Sequence, residues 1–399
     1  MSGLQPQPQG FMIPVNELDY QTVVDSSSRN ICAASFEAMI GAPWWACENI
    51  QLTGTVSAVT ARVGDTVTIQ VGIQALPAEF AFEQLIFSVQ AWVCYPNTVA
   101  GETDSSLVVP SMQPSASMPN GQFASFFNPS KTTAPAVYNG MLGSGVSYQQ
   151  ATGPTPSFQW ISLTSWTPTP EDFMDQGEEG GHCCMIANVS GAFDYSSDTG
   201  FFASPVGEQI IANSELATSI DVCTDLYQGQ RNIVIVGSSS GHSGRRIPPG
   251  FGFLSGAPRE KASSKTTITV TAIKQGDQVD PVLLKVLNSG PYAGLPLKPA
   301  ILPPKSLRLA RHECGWNGWL CKIIHEAEEI IEELLDLETH PFGGGHLLHL
   351  SLPPQGLQPL RLEVELDPTE PPGTVHAIEI TQTNANGARG GIRAGIVVT

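Results

Sequence analysis

Positive charge is almost missing from the first 230 residues. Arg29, Arg62 and Lys131 are their only Lys or Arg, against 21 Asp and Glu, and the resulting −18 equals the net charge of the whole 399-residue chain. From residue 231 onward, 16 cations balance 16 acids. An acidic surface repels phosphate backbones and anionic lipid headgroups, so nucleic acid and a charged membrane surface are not expected partners. Charge of either sign is scarce as well, at 14% of residues. Helical bundles carry Lys and Glu on their outer faces, and that scarcity argues against them. No apolar run approaches the roughly 20 residues needed to span a bilayer, so membrane insertion is not expected. The opening Met1-Ser2-Gly3-Leu4-Gln5-Pro6-Gln7-Pro8-Gln9 lacks the basic and apolar regions of a secretory leader. The chain reads as a soluble product of cytoplasmic synthesis, with non-classical release or assembly left open. Cysteine is limited to Cys32, Cys47, Cys94, Cys183, Cys184, Cys223, Cys314 and Cys321. That is too few for a disulfide scaffold at this length, and buried thiols are expected.

What is abundant is turn-forming residues, with 39 Gly and 32 Pro, beside 41% hydrophobic residues. The chain is long enough for two or three domains, each with its own core. Together these point to an all-β protein with many turns. Val67, Ile69, Val71 and Ile73 alternate with polar or small residues, the pattern of a half-buried antiparallel strand. Leu85–Tyr95 reads as a more central strand. Later strands are expected at Thr266–Ala272, Val282–Leu287, His346–Leu352, Leu360–Leu366, Val375–Thr381 and Ile392–Val398, with Pro and Asn-Gly turns between them. One amphipathic helix is predicted at about 320–337, with Leu320, Ile323, Ile324, Ala327, Ile331, Leu334 and Leu335 on one face.

These elements divide the chain into an N-terminal arm (1–50), an acidic sandwich (51–236) with a long 97–155 insertion, a Gly/Ser/Pro/Arg-rich linker (237–264) and a second sandwich (265–399) carrying the helix. The change in charge and the end of a strand run coincide near Val236. The arm is polar at first, without a long helix, and then turns apolar at Phe11, Ile13, Trp44 and Trp45. Such a segment either packs on its own domain or docks on a partner. In the 97–155 loop, Phe126 and Phe127 are candidate contact residues, because loops this long normally serve function.

Ser157–Trp160, Trp166, the acidic 171–179 loop, the run His182-Cys183-Cys184-Met185-Ile186-Ala187-Asn188-Val189 and Gln230-Arg231-Asn232-Ile233 resemble the CARDB-type (cell-adhesion-related) immunoglobulin-like modules of bacterial proteins. The last strands, Gly373–Ile378 and Gly390–Arg393, look like the end of a second such module. The resemblance implies two immunoglobulin-like sandwiches with structural, adhesive and assembly roles. It implies no shared catalytic residues.

Three patterns invite chemistry. His182 and Cys184 share a strand face, while Cys183 points away, and no orienting carboxylate or amide can be assigned, so a thiol nucleophile is not expected. His312, Cys314, Cys321 and His325 could together suit tetrahedral zinc. A Cys314–Cys321 disulfide and ordinary core packing are the competing readings. His325-Glu326-Ala327-Glu328-Glu329 lacks the second histidine of a metalloprotease helix. The expectation is therefore a non-enzymatic structural or interaction protein without a cofactor, part of a larger bacterial or phage-like assembly or an adhesive surface layer. Its partners would be proteins or its own copies. The alternative is a monomeric module that recognises glycan or peptide through the 97–155 loop.

Overall fold

A computed structural model describes residues 11–26, 29–54, 57–75, 85–94, 96, 98, 136–140, 158–163, 167–168, 181–194, 222–223, 225–240, 246–247, 249–256, 264–273, 279–288, 291–311, 340–341, 346–352, 357–385, 387 and 389–399. The chain is all-β. In the first half the strands are β1 (Phe11–Met12), β2 (Ile50–Thr53), β3 (Thr60–Ala61), β4 (Thr68–Ala75), β5 (Leu85–Cys94), β6 (Ala136–Gly140), β7 (Phe158–Ser162), β8 (Gly181–His182), β9 (Cys184–Asp194) and β10 (Gln228–Gly237). The second half adds β11 (Ser239–Ser240), β12 (Arg246–Ile247), β13 (Gly250–Gly256), β14 (Ser264–Ala272), β15 (Lys298–Pro299) and β16 (Ser306–Arg311). It closes with β17 (His340–Pro341), β18 (His346–Leu352), β19 (Leu357–Glu365), β20 (Thr374–Asn384) and β21 (Arg389–Val397). Among the described residues three short helices accompany them: α1 (Glu17–Ser26), α2 (Ala34–Ile40) and α3 (Pro281–Leu287).

In the first module β4 pairs with β1, β2 and β7, and this sheet faces β6-β5-β9-β10. The alternation seen in the sequence does the work here: Val67, Ile69, Val71 and Ile73 are all fully buried, each contributing roughly 1.5–3 kcal/mol of apolar burial. They meet Val89, Ala91, Val93, Met185 and Ala187 from the facing strands in one core. The chain visits β4, crosses to β5 and β6, returns to β7 and crosses again to β9 and β10. That is the path of an immunoglobulin-like sandwich.

The second module is also built of two packed sheets. The sheet β13-β19-β16 packs over β18-β14-β20-β21. Phe251, Phe253, Leu360, Leu362 and Val364 interlock with Ile268, Val270, Ile378, Ile380, Ile392 and Ile396. The two modules are not beads on a string. β10 pairs antiparallel with β9 over Gln228–Asn232 and then parallel with β21 over Ile233–Gly237. One strand thus closes the first sandwich and lines the second, and a single sheet runs through both, β18-β14-β20-β21-β10-β9-β5-β6.

Several expectations change. Val282–Leu287 is helix α3, not a strand. Asp280 caps it, accepting from the Val282 and Leu283 amides at 2.9 and 3.0 Å, and Pro281 sits in the first turn. The stretch read as a linker contains β13, with Phe251, Phe253 and Leu254 buried. The arm carries α1 and α2. The helix expected at 320–337, and all of the 97–155 loop except residue 98 and β6, lie outside the described residues.

Candidate functional site

The polar chemistry of the described chain gathers where the modules meet. Residues 45–47 lie beside the first half of β10, in the place that β21 occupies beside its second half. Ala46 bridges Arg231 antiparallel, the Cys47 amide donates to the Gln230 carbonyl at 3.1 Å, and the Asn232 amide donates to the Trp45 carbonyl at 2.7 Å. The Trp45 indole packs on β21 so closely that a Cβ built on Gly391 would stand 2.6 Å from its ring, so only glycine fits there. Trp44 meets the Trp45 ring edge-on at 5.1 Å.

Around this wedge sits a cluster of ions. Trp45 Nε1 donates to Glu379 at 2.9 Å. Arg393 bonds Glu379 through Nε at 3.1 Å and Asp280 through a terminal nitrogen at 2.6 Å. Arg389 pairs with Glu37 of α2 at 2.6 Å and lies 6.0 Å from the Trp45 ring centroid. Burial pushes Glu379 and Glu37 above the usual carboxylate range, and the neighbouring guanidiniums pull in the opposite direction without cancelling it. From α3, Lys285 reaches Glu48 at 3.7 Å and the Trp160 ring at 5.9 Å, both in the first module.

A second set of contacts crosses the border further on. Past β5 the chain pairs with β13: the Thr98 amide donates to Leu254 and the Leu254 amide to Pro96. Gln382 on β20 gathers these ends. Its Oε1 accepts from Ser255 Oγ, the Gly256 amide and Thr98 Oγ1, and its Nε2 donates to the Gly256 carbonyl at 2.6 Å and Asn384 Oδ1 at 2.8 Å.

On the first-module side, Arg29 pairs with Asp19 at 2.8 Å and donates to the carbonyls of Ile13, Asp225 and Gln228. Cys32 and Cys223 form a disulfide, which corrects the expectation of thiols throughout. Cys47, Cys183 and Cys184 are buried as thiols. Burial pushes Cys47 up to about 12 and pulls the fully buried Arg231 down to about 10. At neutral pH the first is an inert thiol and the second a cation, whose terminal nitrogen donates to the Ile50 carbonyl.

No family model matches the chain. No curated protein matches it either. Among solved structures it is similar to the collagen adhesin of S. aureus, at 7% identity and a TM-score of 0.21, with 86% of this chain and 94% of that one covered. The CupB6 tip adhesin of Pseudomonas aeruginosa gives 12% identity and 0.22, covering 88% and 95%. The C-terminal domain of the Streptococcus pyogenes antigen I/II-family protein AspA gives 9% and 0.14, covering 88% and 99%. Likeness at this level carries no argument, and the fold rests on the strand pairings above.

Among the sequence-derived candidates, Ile13, Trp44 and Trp45 are fully buried in the chain's own core, and Phe11 lies in β1. Phe126, Phe127, His312, Cys314, Cys321 and His325 lie outside the described residues. Among those described, no group of three or more His, Cys, Asp or Glu could hold a metal ion. No described helix is long and apolar enough to cross a membrane. His182 is engaged locally: the Ile235 amide donates to its Nδ1 at 3.3 Å, and Thr60 Oγ1 lies 3.0 Å from the same atom. The junction cluster itself escaped sequence reasoning. Its residues are up to 352 positions apart, and an isolated Glu, Arg or Trp carries no local pattern.

Proposed function

We propose that the chain is a non-enzymatic structural and interaction protein, a subunit of a larger bacterial or phage-like assembly or of an adhesive surface layer. The observation that carries this reading is β10, a strand used by both sandwiches, with the N-terminal wedge and α3 pinned across the same border. Such a frame fixes two modules at one angle, which suits a part that holds position. The surface supplies a contact point. Ile301 and Leu302 stand 98% and 71% exposed on the turn between β15 and β16, followed by Pro303 and Pro304. Two adjacent large apolar side chains in water favour association.

Light scattering of the native protein over a range of concentrations should give multiples of 42.4 kDa. An Ile301→Asp/Leu302→Asp double variant should melt like the wild type and give a smaller particle. A wild-type monomer throughout would overturn the assembly reading.

A further inference from the structure

We propose that the Cys32–Cys223 disulfide is a redox lock on residues 11–26 and 29–33, a strap that opens as a unit while the wedge at 44–47 stays seated. The proposal concerns the strap alone and does not depend on assembly.

The strap carries its polar partners within itself. Asp19 and Arg29 pair at 2.8 Å, Arg29 also donates to the Ile13 carbonyl, and the Val15 amide donates to Asp19 at 2.8 Å. If the strap leaves, this pair leaves together, and no unpaired charge stays behind in the core. Its apolar side chains Met12, Tyr20 and Val23 form a small cluster of their own with Leu226, although Ile13, Val15 and Ile31 reach the main core. Among the described residues its bonds to the body include the Ile13 amide to Leu226 and the Ile31 amide to Cys223, both at 2.9 Å, Arg29 to the Asp225 and Gln228 carbonyls, and two residues of β1 on the end of β4. The Pro14 and Val15 carbonyls accept from Asn49 and Glu48, where the strap meets the body, and Asn16 donates to Ile40. The wedge bonds chiefly into β10, β20 and β21, and touches the strap where Cys47 Sγ donates to the Pro14 carbonyl at 3.3 Å. Contiguous segments open locally at free energies below that of global unfolding.

Cys32 is half-buried while Cys223 is 1% exposed, so a thiol reaches the lock at the Cys32 sulfur. Attack by one thiolate of a small dithiol breaks the S–S bond, forms a mixed disulfide at Cys32 and releases the Cys223 thiolate, which takes a proton. The second thiol of the reagent then displaces Cys32. Two electrons pass to the protein, both cysteines become thiols, and the reagent becomes a cyclic disulfide.

Hydrogen exchange read by mass spectrometry tests this on the full chain, oxidised and after dithiothreitol. Reduction should speed exchange at the Ile13 and Ile31 amides at least tenfold and leave Cys47 and Asn232 unchanged. The Cys32→Ser/Cys223→Ser variant should show the fast pattern without reductant and no response to it. The wild type reduced in place gives the same readout should that variant fail to fold. Equal protection with and without reductant, acceleration of Asn232 in step with Ile13, or thiols at both positions in protein purified without reductant would each overturn the proposal.

Discussion

Arg393 holds two buried acids, Asp280 and Glu379, and the three cannot be exchanged at equal cost. Replacing Arg393 with Met leaves two carboxylates buried without their cation, and a loss of about 3–5 kcal/mol is expected in denaturant titrations. Glu379→Gln turns an NH2 toward either the Trp45 indole N–H or the Arg393 Nε–H, both donors, and should cost about 1–3 kcal/mol. The sign of the pH response follows from burial, which favours the neutral form of Glu379. Between the raised native value of Glu379 and the ordinary 4.5, the folded chain holds a proton that the unfolded chain has released. The stabilising contribution of this group is complete below 4.5 and is lost as pH rises through the native value. The melting temperature of Glu379→Gln relative to wild type should therefore be higher at pH 7.5 than at pH 5, and the opposite slope in thermal melts would refute the assignment. Gln382→Leu strips partners from Thr98, Ser255 and Gly256 at once, and a destabilisation of roughly 2–3 kcal/mol is expected.

At the scale of elements, α3 shows why single roles are hard to read from sequence. Its apolar residues at 282, 283, 286 and 287 form a helical face, but over seven residues they also look like a buried strand. The deciding signal was Asp280-Pro281, a cap followed by a first-turn proline. Asp280→Asn should keep the cap and lose the ion pair with Arg393. Asp280→Ala should lose both and cost about 1 kcal/mol more, as chemical denaturation would show. Strands with strict alternation, such as β4, β19 and β20, were legible because a two-sided sheet imposes its period on the side chains. β13 was not, since Gly-Phe-Gly-Phe-Leu-Ser-Gly has the composition of a loop and becomes a strand only by pairing along β19. The disulfide joins residues 191 apart, a separation on which local patterns are silent. On β21, Gly391→Ala forces a Cβ against both the Ile380 carbonyl and Trp45, and a cost of about 1–3 kcal/mol is expected.

For the molecule as a whole, the change in charge at residue 230 and the handover inside β10 at residues 232–233 nearly coincide. At that point the chain is continuous strand, with β9 beside the first half of β10 and β21 beside the second. Calorimetry should accordingly show one cooperative transition for both modules. Removing residues 1–47 takes away Trp44, Trp45 and the Glu37–Arg389 pair and should lower the melting temperature of both, not of the first alone. The parallel partner of β10 is β21, far along the chain, with Gly237 beside Val397. During translation the second half of β10 is made about 160 residues before that partner, which at ordinary elongation rates is roughly 8–30 s. Val234 and Val236 must spend that interval without their neighbouring strand, so the growing chain presents a sticky β edge to the cell until β21 is made.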